Sequence, residues 1–469
     1  MTDVAAAPGA LAPGAWKILS VAILGAFLSQ IDATIVNVSL SSLATELHTN
    51  LGTIQWVTSG YLLALTLILP LNGWLVDRIG AKALYLWCFS AFTLASALCG
   101  LAWSAPSLIG VRIVQGLAGG LLAPMAQMMV ARVAGKQMAR IAGYASMPVL
   151  LAPLLGPVVA GAILQYASWR WLFLVNVPVG VIAITLAMLF LPNDRDERRP
   201  RELDLVGLAL LSPALVLFLY SADHLGEPMG LSLFLLSLVL IAAFVWTALR
   251  KGKKALIDLQ LFRSPLFSIG AIAQFLSNGT GFAGQMLIPL YLLGAAGHSP
   301  AEMGWLMAPL GLGMLCTFPS LGFLTRRLGT RGLAAGGALL ATLATSAFVY
   351  FSAHELNLAV LAVALFLRGV GLSGVGIPAM TAAYSSMPRS DLPMATTTLN
   401  IVQRLGGPAL TTLCATFLSW QLSSFHGDQP GPSPYMWAFA LLTGLHAATF
   451  VVALGFPARV QSKGVTGRN

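Results

Sequence analysis

The chain has 469 residues, of which 57% are hydrophobic and only 9% are charged, and its mean hydropathy is +0.82. Soluble domains carry roughly 25% charged residues, so this composition excludes an ordinary soluble protein and indicates a polytopic membrane protein. The formal net charge of +10 could favour nucleic acid, but the Lys and Arg residues lie in loops between apolar segments. Membrane topology explains them better, so we expect a lipid bilayer and no nucleic acid as partner.

Hydropathy predicts fourteen membrane spans in chain order. A charged linker and two extra spans separate a first set of six from a last set of six. The predicted domains are an N-terminal six-helix bundle over 1–191, a linker with two additional helices over 192–265, a C-terminal six-helix bundle over 266–457 and a cytosolic tail over 458–469. The spans cover roughly 16–40, 53–76, 82–103, 106–131, 139–166, 168–191, 205–222, 229–249, 266–294, 300–325, 331–352, 356–384, 393–422 and 433–456.

Basic residues predict the orientation of these spans. Most of the 26 Lys and Arg residues lie in the tails and in the loops of one side, and Arg170 falls on the other side. This positive-inside bias predicts that both termini are cytoplasmic. The N-terminal residues have no basic region and no small-residue cleavage site, so we expect the first helix to be retained.

The first and last sets of six spans repeat one another. The segment beginning TIQWVTSGYL aligns without a gap to the segment beginning EMGWLMAPLG. An internal duplication of this kind predicts a transporter with its binding site between two halves, near the middle of the bilayer. Identical residues at matched positions are Trp56 and Trp305, Pro70 and Pro319, Gly73 and Gly322, Arg78 and Arg327, and Gly80 and Gly329.

An acid lies near the middle of the first span. Asp32 should cost at least ~2.5–3.5 kcal/mol at bilayer depth, so such a residue usually faces a bundle interior or a watery cavity. Helical spacing places Gln30, Thr34 and Asn37 roughly opposite Asp32, and we include these three among the candidate cavity residues. The alternative is that Asp32 is a structural polar residue satisfied by a neighbouring helix.

Arg112, within the fourth span, also needs a partner at this depth. Backbone, water and Asp32 are all candidate acceptors, and a helix-packing role is the alternative. The four cysteines, Cys88, Cys99, Cys316 and Cys414, lie in apolar segments without CxxC spacing. We therefore expect packing roles for them and no metal site.

Four motifs resemble those of the fourteen-helix drug:proton antiporter branch of the major facilitator superfamily. They are IDATIVNVSL in the first span, GWLVDRIGAK after the second, LIGVRIVQGLAGG in the fourth and APLLGPVVAG in the fifth. SWRWLFLVNVPVG is also similar to this branch. Ser41 replaces a common proline, and Ala152 and Ala160 replace usual glycines. The resemblance implies the major facilitator fold, all-α, with two duplicated six-helix bundles plus two inserted helices.

Two of these motifs have expected mechanical roles. We expect Asp77 to accept from backbone N–H groups at the N-terminus of a facing helix, as part of a conformational latch; ordinary positive-inside charge is the alternative. Glycine and proline in the fifth span allow close packing and a bend, or form only a generic kink. The predicted latch is Gly73, Asp77, Arg78, Gly80 and Lys82, and the predicted packing residues are Gly156, Pro157 and Gly161.

The resemblance further implies proton coupling and a polar substrate cavity. Asp32 and Arg112 are the predicted coupling residues. Aromatic residues such as Trp56, Phe275, Phe282 and Tyr291 could stack on a lipophilic solute, although packing is the alternative for each. The predicted cavity residues are Gln30, Thr34, Asn37, Tyr61, Gln115, Gln274, Asn278, Gln285, Asn400 and Arg404.

These features predict secondary active, proton-coupled efflux of lipophilic drug-like compounds, driven by the proton gradient without a cofactor. The alternative is export of an endogenous solute, such as an amino acid, siderophore or lipid, on the same fold. An enzyme is not indicated, because HExxH, GxSxG and GxxxxGK[ST] do not occur in the sequence. A channel or receptor would leave the duplication unexplained. We expect a monomer in the inner membrane of a cell.

Overall fold

A computed structural model describes residues 15–134, 141, 152, 155–156, 159–193, 202–222, 224–354, 356–424 and 434–459, and these residues form helices and connecting turns. Short 3-10 helices lie at Leu69–Leu71, Gly252–Lys254, Leu259–Arg263 and Arg389–Asp391, and residues 159–166 are helical. The α-helices are α1 Ala15–Glu46, α2 Leu51–Ile68, α3 Asn72–Ile79, α4 Ala81–Gly100, α5 Ala105–Ala134, α6 Trp171–Leu174, α7 Asn176–Phe190, α8 Leu205–Ala222, α9 Pro228–Lys251, α10 Pro265–Gly294, α11 Pro300–Phe351, α12 Leu358–Ser385, α13 Leu392–Ser424 and α14 Pro434–Leu454.

Ten helices of the described part are long and apolar enough to cross a membrane. The total of fourteen spans stays a prediction, since most of the predicted span 139–166 lies outside the described residues. Neither α10 nor α13 is among the ten, because polar residues such as Gln274, Asn278, Asn400 and Arg404 lower their hydropathy. The predicted spans 300–325 and 331–352 form the single run α11, which is interrupted by non-helical backbone at Gly329.

Two glycines at matched positions of the sequence repeat share an unusual backbone conformation. Gly80, between α3 and α4, has φ of 88°, and Gly329 within α11 has φ of 74°. Side chains disfavour this left-handed region, whereas glycine adopts it at little cost. Both glycines therefore break the helix with a backbone conformation that glycine adopts readily, and the run α11 consists of two helices that meet at Gly329.

The described residues divide into two compact units. The first contains Met1–Tyr220, Leu235–Gln260 and Pro388–Thr398. Its apolar core joins α1, α2, α4, α5 and α6 through residues such as Ile35, Val57, Leu108 and Phe173. Glycine allows α5 to approach α2 closely, because a Cβ on Gly116 would lie 2.5 Å from the Tyr61 carbonyl oxygen.

The second unit contains Ser221–Phe234, Leu261–Met387 and Leu399–Asn469. Buried aromatic rings from α10, α11 and α14 form much of its core. The Tyr291 hydroxyl donates a 2.9 Å hydrogen bond to the Phe351 carbonyl, and the Tyr291 ring lies edge-on to Phe439. The predicted domain boundaries stay predictions, and the grouping of Pro388–Thr398 with the first unit was not predicted.

An acid connects three segments at the start of the inserted helix pair. Asp204 precedes α8, and its carboxylate accepts from Lys251 at the end of α9 and from the backbone N–H groups of Gly207 and Leu256. Burial acts to raise the pKa of Asp204, but the bonds from Lys251, Gly207 and Leu256 outweigh it and hold that pKa below its ordinary value. The ionised carboxylate therefore stabilises this junction.

Candidate functional site

The centre of the candidate site is an ion pair between Asp32 of α1 and Arg112 of α5. Both side chains have an exposed fraction of 0%, and Nη1 of Arg112 lies 2.6 Å from Oδ2 of Asp32. The sequence left the partner of Arg112 open among backbone, water and Asp32. The structure gives it Asp32 and the backbone together, because Nε of Arg112 donates to the Val57 carbonyl oxygen at 3.2 Å.

Two amides complete the first layer around this pair. Gln115, one turn beyond Arg112 on α5, accepts from Nη1 of Arg112 at 2.8 Å and donates to Oδ1 of Asp32 at 3.3 Å. Asn176, the first residue of α7, donates to the same oxygen at 2.7 Å. Asp32 thus accepts from one charged and two neutral donors, which offsets much of the desolvation cost of burying a carboxylate.

A second layer fixes the orientation of Asn176 and Arg112. Ser96 of α4 accepts from Asn176 at 3.2 Å and donates to the Phe173 carbonyl oxygen at 2.9 Å. Cζ of Arg112 lies 4.1 Å from the centre of the Tyr61 ring, within cation–π range. The site is thus built from α1, α2, α4, α5 and α7, all in the first unit.

Sequence reasoning named Asp32, Arg112, Gln115 and Tyr61, and the structure brings these four together. It missed the roles of Asn176 and Ser96. Asn176 lies within SWRWLFLVNVPVG, so the motif marked the segment but not the contact. Ser96 lies in an apolar stretch of α4 whose sequence carries no comparable signal.

Two of the three cavity residues predicted on α1 have no described hydrogen bond to this network. Gln30 is exposed, and the Thr34 hydroxyl donates to the carbonyl oxygens of Ile31 and Ala152 at 2.9 and 3.2 Å. The side chain of Asn37 lies outside the described residues. The predicted cavity role of these three residues stays a prediction.

The fifth-span motif packs against α1 at Thr34. Gly156 is buried, and a Cβ there would lie 2.8 Å from Cβ of Thr34, so glycine is required for this approach. Pro157 lies outside the described residues. Gly161 is exposed, and no described atom lies within 4 Å of its ideal Cβ position. Gly156 therefore makes the close approach that a packing role requires, and the packing role of Gly156, Pro157 and Gly161 stays a prediction.

The predicted latch lies beside the first turns of α13. Asn72, the first residue of α3, donates a 3.0 Å hydrogen bond to Oγ1 of Thr397. A Cβ on the adjacent Gly73 would lie 3.3 Å from Cε of Met394. Asp77 is half-buried one turn later, on the side of α3 that carries Gly73.

The basic residues of the latch motif differ in their contacts. Arg78 is exposed, and its guanidinium carbon lies 5.3 Å from the centre of the Trp74 ring. Lys82 donates to the carbonyl oxygens of Met188 and Leu191 at 3.0 and 2.7 Å. A cation there satisfies terminal carbonyl groups and suits the negative end of α7. Lys82 thus joins α4 to the end of α7.

The cavity residues predicted in the second unit lie in different environments. Gln274 is buried and donates to the Gly376 carbonyl oxygen at 2.9 Å, whereas Gln285 is exposed. A Cβ on Gly407 would lie 3.2 Å from Oδ1 of Asn278. Asn400 is buried and Arg404 half-buried on α13. The structure therefore does not gather these five residues around one described contact.

The aromatic candidates also divide. Tyr291 is 5% exposed within the second unit's core, so the packing alternative is correct for it. Phe282 is 52% exposed, and Phe275 is half-buried. Trp56 is 44% exposed and stacks on Tyr220 of α8 with ring centres 6.3 Å apart.

Among the cysteines, Cys316 is exposed, so its predicted packing role is wrong.

Solved structures of low sequence identity share this fold. The human organic anion transporter MFSD10 (TETRAN) aligns with a TM-score of 0.65 at 16% identity, covering 94% of this chain and 99% of that one. The proton:xylose symporter XylE aligns with a TM-score of 0.59, also at 16% identity, covering 94% of this chain and 95% of that one. At these identities the likeness concerns the fold alone.

Sequence comparison extends to proteins named for drug resistance. The chain is 30% identical over 424 residues to the multidrug resistance protein B homolog of Mycobacterium tuberculosis, covering 89% of this chain and 78% of that protein. It is 31% identical over 342 residues to the putative multidrug resistance protein MdtD of Serratia proteamaculans, covering 71% of this chain and 70% of that protein. The family model of the Major Facilitator Superfamily matches residues 22–411 and 267–467. The family expected from the motifs is thereby confirmed, and the chain belongs to the major facilitator superfamily.

Proposed function

We propose that this membrane transporter exports lipophilic, drug-like compounds in exchange for protons by alternating access. Its relatives at about 30% identity are named as multidrug resistance proteins, which supports drug efflux. The proposed frame is two duplicated six-helix bundles plus two inserted helices, giving fourteen spans with both termini in the cytoplasm. The proposed energy source is the proton gradient, with no cofactor and with a monomer as the functional unit.

The observation that carries the proposal is the buried Asp32–Arg112 pair with its amide partners. A proton on Asp32 would cancel the charge that holds Arg112, so protonation and rearrangement of the pair are linked. Arg112 also donates to the α2 backbone at Val57 and stacks on Tyr61. A change at Asp32 can therefore reach α2 and α5 through one side chain.

The energetics are adequate for concentrative export. One charge moved through 100 mV supplies ~2.3 kcal/mol, which corresponds to a roughly fiftyfold concentration ratio before any pH gradient is counted. In the proposed cycle, protonation of Asp32 from outside weakens its hold on a cationic or hydrogen-bonding solute. Release of the proton to the cytoplasm restores the site, and the latch motif with Asp77 biases the exchange of states.

A second candidate is export of an endogenous solute, such as an amino acid, siderophore or lipid, by the same mechanism. Arg368 favours it, because this guanidinium is fully buried in the second unit and an anionic group would suit it. The two candidates share the coupling site and differ in the charge of the solute.

Transport of ethidium by the purified protein in liposomes tests the proposal. We expect uptake into inside-out liposomes to follow an imposed pH gradient, with measurable proton counterflow. Asp32→Asn mimics the protonated carboxyl permanently, so it should insert and fold, yet lose gradient-driven transport by about 100-fold or more, as for loss of a general proton-transfer group.

Asp258→Asn makes the same substitution in a half-buried loop residue and should transport at the parental rate. Parental, gradient-driven transport by Asp32→Asn would disprove the coupling role of Asp32. If ethidium flux through the parent protein does not depend on the pH gradient, the protein is instead a facilitator. Competition by amino acids or siderophores, but not by lipophilic cations, would favour the endogenous-solute candidate.

A further inference from the structure

The second unit buries a guanidinium that has little to bind it. Arg368 of α12 has an exposed fraction of 0%, and its Nη2 donates to the Thr280 carbonyl oxygen at 2.9 Å. Nε and Nη1 of Arg368 have no hydrogen-bond partner among the described residues. Arginine carries five N–H donors and keeps its charge at every physiological pH, so most of its capacity is unmet.

The helix that faces Arg368 has a glycine at the point of contact. A Cβ on Gly284 of α10 would overlap Nη2 of Arg368 and lie 2.6 Å from Nη1. In the first unit, α1 presents the carboxylate of Asp32 to the buried Arg112. The two buried arginines therefore differ in that Arg112 has an internal counter-ion, whereas the residue facing Arg368 has no side chain.

The described acids of the second unit do not supply the missing charge. Its described acids are Glu227 and Glu302, and both are exposed at helix starts. His446 of α14 is 1% exposed and interacts electrostatically with Arg368, and its Nε2 also has no described hydrogen-bond partner. A buried charge without a partner is strongly destabilising, so the unmet N–H donors of Arg368 favour an anion.

We infer that Arg368, with Gly284 giving it room and His446 beside it, forms a binding site for a small monovalent anionic group inside the second unit. A halide ion or a carboxylate fits, because both accept several N–H donors and neutralise one positive charge. The source is either a free ion or the anionic group of an organic solute. The site is separate from the Asp32–Arg112 pair and holds for either of the proposed transport substrates.

Thermal unfolding of the purified full-length protein in different sodium salts tests this site. At constant ionic strength and pH 7, replacing gluconate by chloride, bromide or formate should raise the Tm of the parent by a few degrees in a saturable way. Arg368→Met keeps the length of the side chain but removes the donors, so it should abolish the rise. Arg326→Met, at an exposed arginine of α11, should keep it.

A further measurement covers the case in which Arg368→Met does not fold. Anomalous scattering from bromide in crystals of the parent should give a peak at Arg368. A rise in the Tm of the parent with halides supports a free ion as the ligand. A rise in Tm with carboxylates alone supports the anionic group of a solute. Equal Tm in all salts, an undiminished rise in Arg368→Met, or no bromide peak at a saturating concentration would overturn the inference.

Discussion

Asp32 accepts hydrogen bonds on both carboxylate oxygens, and the donors come from two helices. Arg112 and Gln115 of α5 bind it from one side, and Asn176 binds it from the start of α7. An isolated carboxylate could not remain ionised at this depth without such partners. Any event that changes the charge of Asp32 therefore changes the preferred positions of side chains on α5 and α7 together.

Removal of the Asn176 amide should disturb the coupling site without removing either charge. Asn176→Leu keeps the branching at Cγ but is larger and has no donor, so Asp32 loses its bond of 2.7 Å, worth about 1.5–3 kcal/mol for a charged acceptor. We expect slower ethidium transport in liposomes, and we expect the pH at which the transport rate is half-maximal to change. A purely structural role would lower Tm and leave the pH profile unchanged, which would contradict a positioning role for Asn176.

Ser96→Ala provides a graded comparison for this variant. Ser96 contacts Asn176 and the Phe173 backbone but does not bond to Asp32 in the structure. Loss of the Ser96 hydroxyl should therefore displace the pH profile of the transport rate in the same direction as Asn176→Leu, but by a smaller amount. A larger effect for Ser96→Ala would mean that the network is organised around the serine.

At this scale the sequence predicted residues whose chemistry is conspicuous at bilayer depth. An acid and an arginine inside apolar spans require partners. Asp32 and Arg112 could therefore be chosen from the free-energy cost of burying a charge in the membrane. Asn176 could not be chosen in this way, because it is neutral and lies at a helix start where polar residues are common. Tertiary packing decides which amide reaches Asp32, and the local sequence pattern does not predict that packing.

Helix packing at the fifth-span motif can be tested with two matched glycines. Gly156→Leu would overlap Thr34 of α1, since even a Cβ at position 156 would lie 2.8 Å from Cβ of Thr34. Overpacking of this kind typically costs 1–3 kcal/mol, so we expect a lower Tm and loss of ethidium transport, with membrane insertion retained. Gly161→Leu should be tolerated, because no described atom lies within 4 Å of its Cβ position. Equal activity of the two variants would contradict this account.

The junction at Asp204 should show a defined dependence on pH. The pKa of Asp204 is lowered in the folded protein, so its contribution to stability is present above the ordinary Asp value of about 3.9 and is lost as pH falls through the folded value. Asp204→Asn should therefore lower Tm at pH 7, and its difference from the parent should shrink below about pH 4. Asp258→Asn is the matched control, and a constant difference at all pH values would contradict the assignment.

Helices were the most predictable elements of the chain. The predicted spans 205–222 and 266–294 agree with Leu205–Ala222 and Pro265–Gly294 to within a residue, because long apolar runs end at clear polar or proline boundaries. The second predicted span, 53–76, instead contains α2, a 3-10 turn at Leu69–Leu71 and the start of α3. Pro70 explains the break between α2 and α3, since proline removes a backbone donor. The position of Pro70 in the sequence alone did not predict that a second helix would follow.

The whole molecule contains a helix whose two parts belong to different compact units. The first turns of α13, up to Thr398, group with the first unit, and the remainder from Leu399 groups with the second. Asn72 and Gly73 contact those first turns at Thr397 and Met394. The sequence repeat predicted two halves but not this division, because a contact between distant segments leaves no periodic signal.

Asp77→Asn should therefore affect the exchange between transport states more than it affects substrate binding. Asp77 lies one turn after Gly73 on the same side of α3, and the helix N-terminus beside Gly73 carries the positive end of a helix dipole. A carboxylate near such an end contributes about 0.3–1 kcal/mol, and up to ~2 kcal/mol when partly buried. Its loss can shift a two-state equilibrium by up to roughly 30-fold, whereas the proposed substrate residues are unchanged.

We expect Asp77→Asn to bind ethidium with parental affinity in a fluorescence titration, yet to turn over several-fold more slowly in liposomes. Asp77→Glu retains the charge on a side chain one methylene longer and should recover much of the lost rate. Cysteine pairs that report each transport state should crosslink in altered proportions in Asp77→Asn. Unchanged proportions together with a parental rate would mean that Asp77 does not act as a latch and that its basic neighbours provide only positive-inside charge. The contact of Asn72 and Gly73 with α13 would then not depend on charge.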